Sequence, residues 1–337
     1  MIDLRSDTVT RPTAAMRAAM TAAPVGDDVF GDYPTVNRLQ DVLAEMTGQE
    51  AGLLFPSGTQ SNLAALMAHC ERGDEFVAGS LGHSFTHEAG GAAVLGSLWP
   101  QPLANEPDGT LDLAKVATLI KPDDPHCPRT RLLVLENTQN GRVLPLAYQR
   151  AAAEFAHAHE LGVHLDGARV FNAAVKLGVP VHEITRDFDT VSICLSKGLG
   201  CPVGTVLVGK RGLIRKALRI RKILGGGMRQ AGMLAAAGLY ALEHHVARLT
   251  EDHVHARELA EGLAPIAALK IDPASVQTNM VWGHLAAEHV GALAAALQSR
   301  GILILPETDL RLVTHLDVNR ADLRQVVAAF HEYFAQH

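Results

Sequence analysis

A chain of 337 residues, 47% apolar and 20% charged, has an ordinary globular balance and room for two domains. Its net charge of -6 is modest and not gathered in a tail, which excludes a dedicated nucleic-acid binder with a basic stripe. No apolar run approaches the roughly 18 residues that a membrane span needs. The opening "MIDLRSDTVT", with Asp3 and Asp7, lacks the apolar stretch of a secretory signal.

Short apolar runs alternate with helical patterns along the first two thirds of the chain. "AGLLF" (51–55), "EFVAG" (75–79), "RLLVLE" (131–136), "GVHLD" (162–166), "TVSICL" (190–195) and "GTVLVG" (204–209) read as strands. Helical stretches at 60–72, 112–121 and 147–160 lie between them. Buried strands alternating with helices predict an α/β domain with a mostly parallel sheet, whose chemistry gathers at the carboxyl ends of the strands. From about 232 a long helical region precedes two shorter strands, "TNMVWGHL" and "LRLVTHL", and helices at 289–299 and 320–335. The expected division is a large domain over 1–240 and a smaller α+β domain over 241–337.

Four cysteines without a CxxC pair fit reduced thiols and a cytoplasmic home. Seventeen histidines raise the question of a metal, but no HExxH and no Cys/His quartet occurs. The clusters at 157–160, 244–245 and 253–255 read as solvated helix faces, and no metal is expected.

Lys197 follows the strand at 190–195, between two segments that both look buried. A lysine so placed is paired or chemically used. Its amine can form a Schiff base with a carbonyl, and pyridoxal phosphate is the commonest such partner. That group asks for a helix start with bare N–H groups for its phosphate, a carboxylate for its ring nitrogen and a flat side chain for its ring face. "FPSGTQSN" sets Ser57, Gly58 and Thr59 between a strand and a helix; such residues are also ordinary N-caps. "VHLDGAR" sets Asp166 at a strand end, 31 residues before Lys197, with Arg169 close behind. His83 in "LGHSFTHEAGG" suits the stacking role, though a loop or capping role suits it too.

These segments, with "DLRSDTVTRPT", "VGDDVFGDYPTVNRLQ", "LENTQNGRVLP", "GGGMRQAGMLAAAGLYAL" and "LRLVTHLDV", resemble the low-specificity L-threonine aldolases over essentially the whole chain. That family is in the aspartate-aminotransferase-like group, fold type I, of pyridoxal-phosphate enzymes. The resemblance implies that Lys197 is the Schiff-base lysine, that Asp166 pairs with the ring nitrogen, and that Gly58 and Thr59 form the phosphate turn. It implies that His83 stacks on the ring, that Arg169 lies near the cofactor and the substrate carboxylate, that Arg311 and Ser6 lie by that carboxylate, and that His126 lies near the substrate side chain; His83, His126 or a bound water is the candidate base. Arg229 resembles a residue lent by a neighbouring subunit towards the cofactor phosphate, in a tetramer of two dimers. Phe30 and Tyr33 depart from the family, which often has tyrosine and an acid at those places. The basic stretch 210–222 is either a solvated helix face or part of that subunit interface. The implied reaction is cleavage of a β-hydroxy-α-amino acid to glycine and an aldehyde. The rival readings are a β-eliminating lyase of the same fold and a catalytically silent cofactor-binding protein.

Overall fold

The computed structural model describes residues 1–336. Its centre is a seven-stranded sheet built from β2 (Ala51–Phe55), β3 (Glu75–Gly79), β4 (Trp99–Leu103), β5 (Thr130–Glu136), β6 (Gly162–Asp166), β7 (Thr190–Cys194) and β8 (Thr205–Gly209). The spatial order is β2-β8-β7-β6-β5-β3-β4. Only β8 runs against the others, pairing antiparallel with both β7 and β2. Every residue of β3, β7 and β8 is buried. Helices cover both faces of the sheet, so these strands read as continuous apolar runs rather than as an alternation.

Six of these strands fall where the sequence places them, within a residue at each end. β4 is the addition. Its sequence, "WPQPL", carries two prolines that supply no N–H, and it occupies the sheet edge, where that loss is harmless. The helix Gly58–His69 follows β2 directly and packs on the sheet beside the helix Arg211–Ile223, which rests on β2 and β8. That second helix is the basic stretch. Most of its cations face solvent, but Arg221 turns inward and pairs with the side chain of Asp28 at 2.5 Å.

The chain continues through helices Gly232–His244 and Leu249–Leu263 into a second layer. There β9 (Met280–His284) and β11 (Asp309–Val313) pair antiparallel, backed by helices Ala287–Gln298 and Arg320–Phe334. The apolar cluster centred on the main sheet extends to Leu249, and a separate one runs from Ala256 to Tyr333. Ile2 and Leu4 belong to the second cluster, because β1 (Ile2–Asp3) pairs with β10 (Ile302–Leu303). The chain therefore starts in the C-terminal layer and crosses to the main sheet at residues 5–10.

Candidate active site

In-register pairing sets Glu136 and Asp166, the last residues of β5 and β6, side by side, with Ser192 in the middle of β7 next to Asp166. Lys197 lies three residues beyond the end of β7. Its carbonyl accepts from Thr10 Oγ1 at 2.9 Å and from the Gly200 N–H at 2.8 Å, which fixes the backbone under the side chain. β2 points the same way as β7, so the helix that follows it also starts at this end of the sheet. Ser57 caps that helix, its Oγ accepting from the Gln60 N–H. Gly58, Thr59, His83, Asp166 and Lys197 thus line one cavity of about 220 Å³. A β-carbon at Gly58 would stand 2.7 Å from Cys194 Sγ, so only glycine lets the helix start approach the sheet this closely.

Asp166 accepts from Asn62 Nδ2 at 2.7 Å and from the Ala168 N–H at 3.0 Å. The same Asn62 amide donates to Glu88 Oε1 at 2.9 Å, and His83 Nδ1 lies 2.9 Å from that oxygen. The hydrogen bond to Glu88 raises the His83 pKa above the ordinary imidazole value. Burial raises that of Glu88. His83, Glu88 and Asp166 bring their donor atoms within 4.8 Å of one another. The Asn62 amide and the His83 ring supply the positive edges between the carboxylate oxygens. Glu136, accepting from the His83 backbone N–H at 2.8 Å, is pushed up to about 7 by burial and by the Asp166 charge.

Beside the cavity lies an arginine pair. Arg169 donates from Nε and Nη2 to the two oxygens of Asp7, at 2.8 and 2.6 Å. Asp7 is wholly buried and also accepts from Asn279 Nδ2 at 3.2 Å. Arg311, on β11, donates to the Arg5 carbonyl at 3.2 Å, and its Nε is buried without a partner among the described residues. Burial and the nearby Arg169 charge lower its pKa. Asp7 pairs directly with Arg169 only, and among the described residues Arg311 has no carboxylate partner, which leaves this corner a place for an anion. Ser6 caps the short turn that aims Asp7 at Arg169, its Oγ accepting from the Thr8 N–H at 3.2 Å.

Two of the expected residues stand apart from this cavity. His126 lies on the loop leading into the amino end of β5, paired with Asp124 at 2.7 Å, its side chain 90% exposed. The length of β5, roughly 20 Å, separates that end from the site. Arg229 is bound at the surface to Asp27 at 2.6 Å, on a segment that starts beside the Gly58–Thr59 turn, where Gln60 Nε2 donates to the Leu224 carbonyl. Phe30 is 79% exposed in the loop before Tyr33, which is buried. Asp7, Asn62, Glu88 and Glu136 are absent from the sequence reading as site residues. Each sits inside a segment that carries the family resemblance, which is the signal that would have found them.

This arrangement of sheet, strand-end lysine and aspartate, and C-terminal α+β layer is the fold type I architecture of the pyridoxal-phosphate enzymes. The solved structure of Leishmania major threonine aldolase superposes with a TM-score of 0.83 over 99% of this chain and 100% of that one, at 19% identity. A family model described as beta-eliminating lyase matches residues 3–286. The low specificity L-threonine aldolase of Escherichia coli K12 is 54% identical over 100% of both chains. A probable low-specificity L-threonine aldolase of Arabidopsis thaliana is 45% identical over 99% of this chain and 97% of its own. The chain belongs to the low-specificity L-threonine aldolase family, and is a lyase.

Proposed function

We propose that the protein binds pyridoxal 5'-phosphate and cleaves L-threonine, L-allo-threonine and related β-hydroxy-α-amino acids to glycine and an aldehyde. The observation that carries this reading is the meeting of Lys197, Asp166, His83 and the Gly58–Thr59 turn in one cavity, with Arg169 and Arg311 beside it. The residues present fit the cofactor. The N–H groups at the start of the helix Gly58–His69 suit its phosphate, Asp166 its ring nitrogen, the half-buried His83 its ring face and the Lys197 amine its aldehyde carbon. When bound, it supplies an electron sink for the pair released at the substrate Cα.

The side chains do the rest. Arg169, Arg311 and Ser6 would hold the substrate carboxylate and so fix which Cα bond is presented for cleavage, which in this reading is Cα–Cβ. His83 Nδ1 is committed to Glu88, which leaves Nε2 to take the β-hydroxyl proton. As that proton leaves, the C–O bond becomes a carbonyl, Cα–Cβ breaks with its electrons kept at Cα, and the aldehyde departs. A proton returned to Cα from the Lys197 side completes glycine.

We further propose a cytoplasmic homotetramer, a dimer of dimers. Arg229 would serve a neighbouring subunit's phosphate site, and His126, at the far end of its own sheet, would act only in another copy's site. Among the described residues no helix is long and apolar enough to cross a membrane.

Incubating the purified protein and cofactor with L-threonine or L-allo-threonine should give acetaldehyde and glycine in equal amounts. Ammonia with 2-oxobutyrate would move it to the β-eliminating lyases; no turnover of either despite bound cofactor would move the test to other β-hydroxy-α-amino acids and, if those too are inert, the protein to the silent binders. The ratio of the two rates reads what Phe30 does in place of tyrosine. In a second assay, His83→Phe is expected to lower kcat by about 10²-fold or more, and His126→Phe by less. Near-full rates in both variants would assign the proton to a bound water.

A further inference from the structure

The face of the sheet beneath the helix Gly58–His69 is polar where it meets β6 and β7. Ser61 Oγ and Ser192 Oγ lie 2.7 Å apart. Asn62, His164 and Thr190 are all buried, and His69 reaches down from the last position of the same helix. Helix-on-sheet contacts are ordinarily apolar, and a dry polar contact destabilises unless every group in it is paired. Here the pairs are present, and they run in one direction.

The carboxylate oxygens of Asp166 and Glu88 accept, so both N–H bonds of Asn62 Nδ2 are used and its amide orientation is set. Asn62 Oδ1 must then accept, and His164 Nε2 lies 3.2 Å away. Burial pushes the His164 pKa down to about 4, so the ring is neutral, and because Asn62 Oδ1 can only accept, the ring proton is assigned to Nε2. His164 Nδ1 therefore accepts from the Thr190 hydroxyl at 2.8 Å. Thr190 Oγ1 in turn accepts from His69 Nε2 at 2.9 Å. The helix that carries the Gly58–Thr59 turn at its start is thus tied by side chains to the strand that carries Asp166 at its end. His164 and Asp166 are two residues apart on β6, on the same face.

We propose that Asn62 and His164 are positioning residues, a hydrogen-bonded seam that sets where the Asp166 carboxylate stands relative to the phosphate turn. The inference rests on the cofactor reading above. Shape alone does not require the seam, since apolar side chains of similar volume would fill the same contact. What apolar side chains cannot supply is a donor that separates two buried carboxylates and aims one of them.

The test is titration of cofactor-stripped protein with pyridoxal phosphate, reading the dissociation constant and the visible absorbance maximum, together with the melting temperature and the kcat and KM for L-threonine. Asn62→Leu and His164→Leu are expected to weaken cofactor binding about tenfold or more, to displace the absorbance maximum, and to lower kcat more than they raise KM. His164→Gln, which keeps an N–H toward Asn62, should restore most of each. Folded leucine variants with wild-type affinity and absorbance would overturn the seam, whatever their melting temperature. If the leucine variants do not fold, Thr190→Val decides. Weaker binding with a moved absorbance supports the seam, and a lowered melting temperature alone overturns it. Wild-type protein that takes up no cofactor would sink the cofactor reading instead, a result distinct from unmoved variants of a protein that binds it.

Discussion

Asp7→Asn is expected to cost about 3–5 kcal/mol of folding stability at neutral pH, the range found when one partner of a buried ion pair is removed. Asp7 is wholly buried and Arg169 nearly so, its side chain 12% exposed. An amide in place of the carboxylate keeps the volume but gives the guanidinium no countercharge, and turns an NH₂ toward its N–H groups. Burial alone would push the Asp7 carboxyl up. The Arg169 charge and hydrogen bonds, with Lys197 and Asn279, overcome this and hold it at about 2, below the ordinary 3.8. The folded-state value lies below the unfolded one. This part of the stability is therefore fully present above about pH 4 and is lost as the pH falls through about 2, a contribution of roughly 2 kcal/mol. Urea unfolding of wild type and variant at pH 7 and at steps from 5 to 2 reads both effects. The gap between the two proteins should be widest at neutral pH and narrow in acid. Equal midpoints at pH 7 would show that the pair is dispensable. The KM for L-threonine should also rise in the variant, because Arg169 loses the partner that aims it.

The sheet was legible because its strands are buried on both faces. Six runs of branched and apolar residues mark it, and no tertiary knowledge is needed to see them. β4 escaped because "WPQPL" reads as a loop by composition, and only its edge position makes two prolines admissible. The long helical region after 232 is in fact two helices, parted at 245–248, where His245 Nδ1 turns to bond the Leu199 carbonyl at 2.7 Å. In the site, Lys197 and Asp166 could be found from strand ends, and Gly58 and Thr59 from a helix start. Asn62 and Asp7 could not be derived that way. Asn62 meets Asp166 across 104 residues and Asp7 meets Arg169 across 162, and nothing local distinguishes either from an exposed polar side chain. His126 and Arg229 rest on resemblance alone, and in the isolated chain neither touches the cavity.

Lys197→Ala is expected to lower threonine turnover at least about 10³-fold, since the variant loses a nucleophile and a positioned proton carrier together. Among the described residues the Lys197 amine has neither a hydrogen-bonding nor an ion-pair partner, although Asp166 and His83 line the same cavity. A structural lysine at this depth would be tied to one of those acceptors. Charge and nucleophilicity can be separated. Lys197→Arg keeps a cation in place, but a guanidinium stays protonated and does not attack a carbonyl, so this variant should be as inactive as the alanine one. Borohydride treatment of the cofactor-loaded protein gives a second readout, free of turnover. The wild type should gain the mass of one reduced cofactor on the peptide containing Lys197, and both variants should gain none. Substantial turnover in Lys197→Arg would mean that a cation suffices there, and the lysine would then be a binding residue rather than the nucleophile. Mass added at a different lysine would place the covalent site elsewhere and remove the reason for reading the end of β7 as the reacting centre.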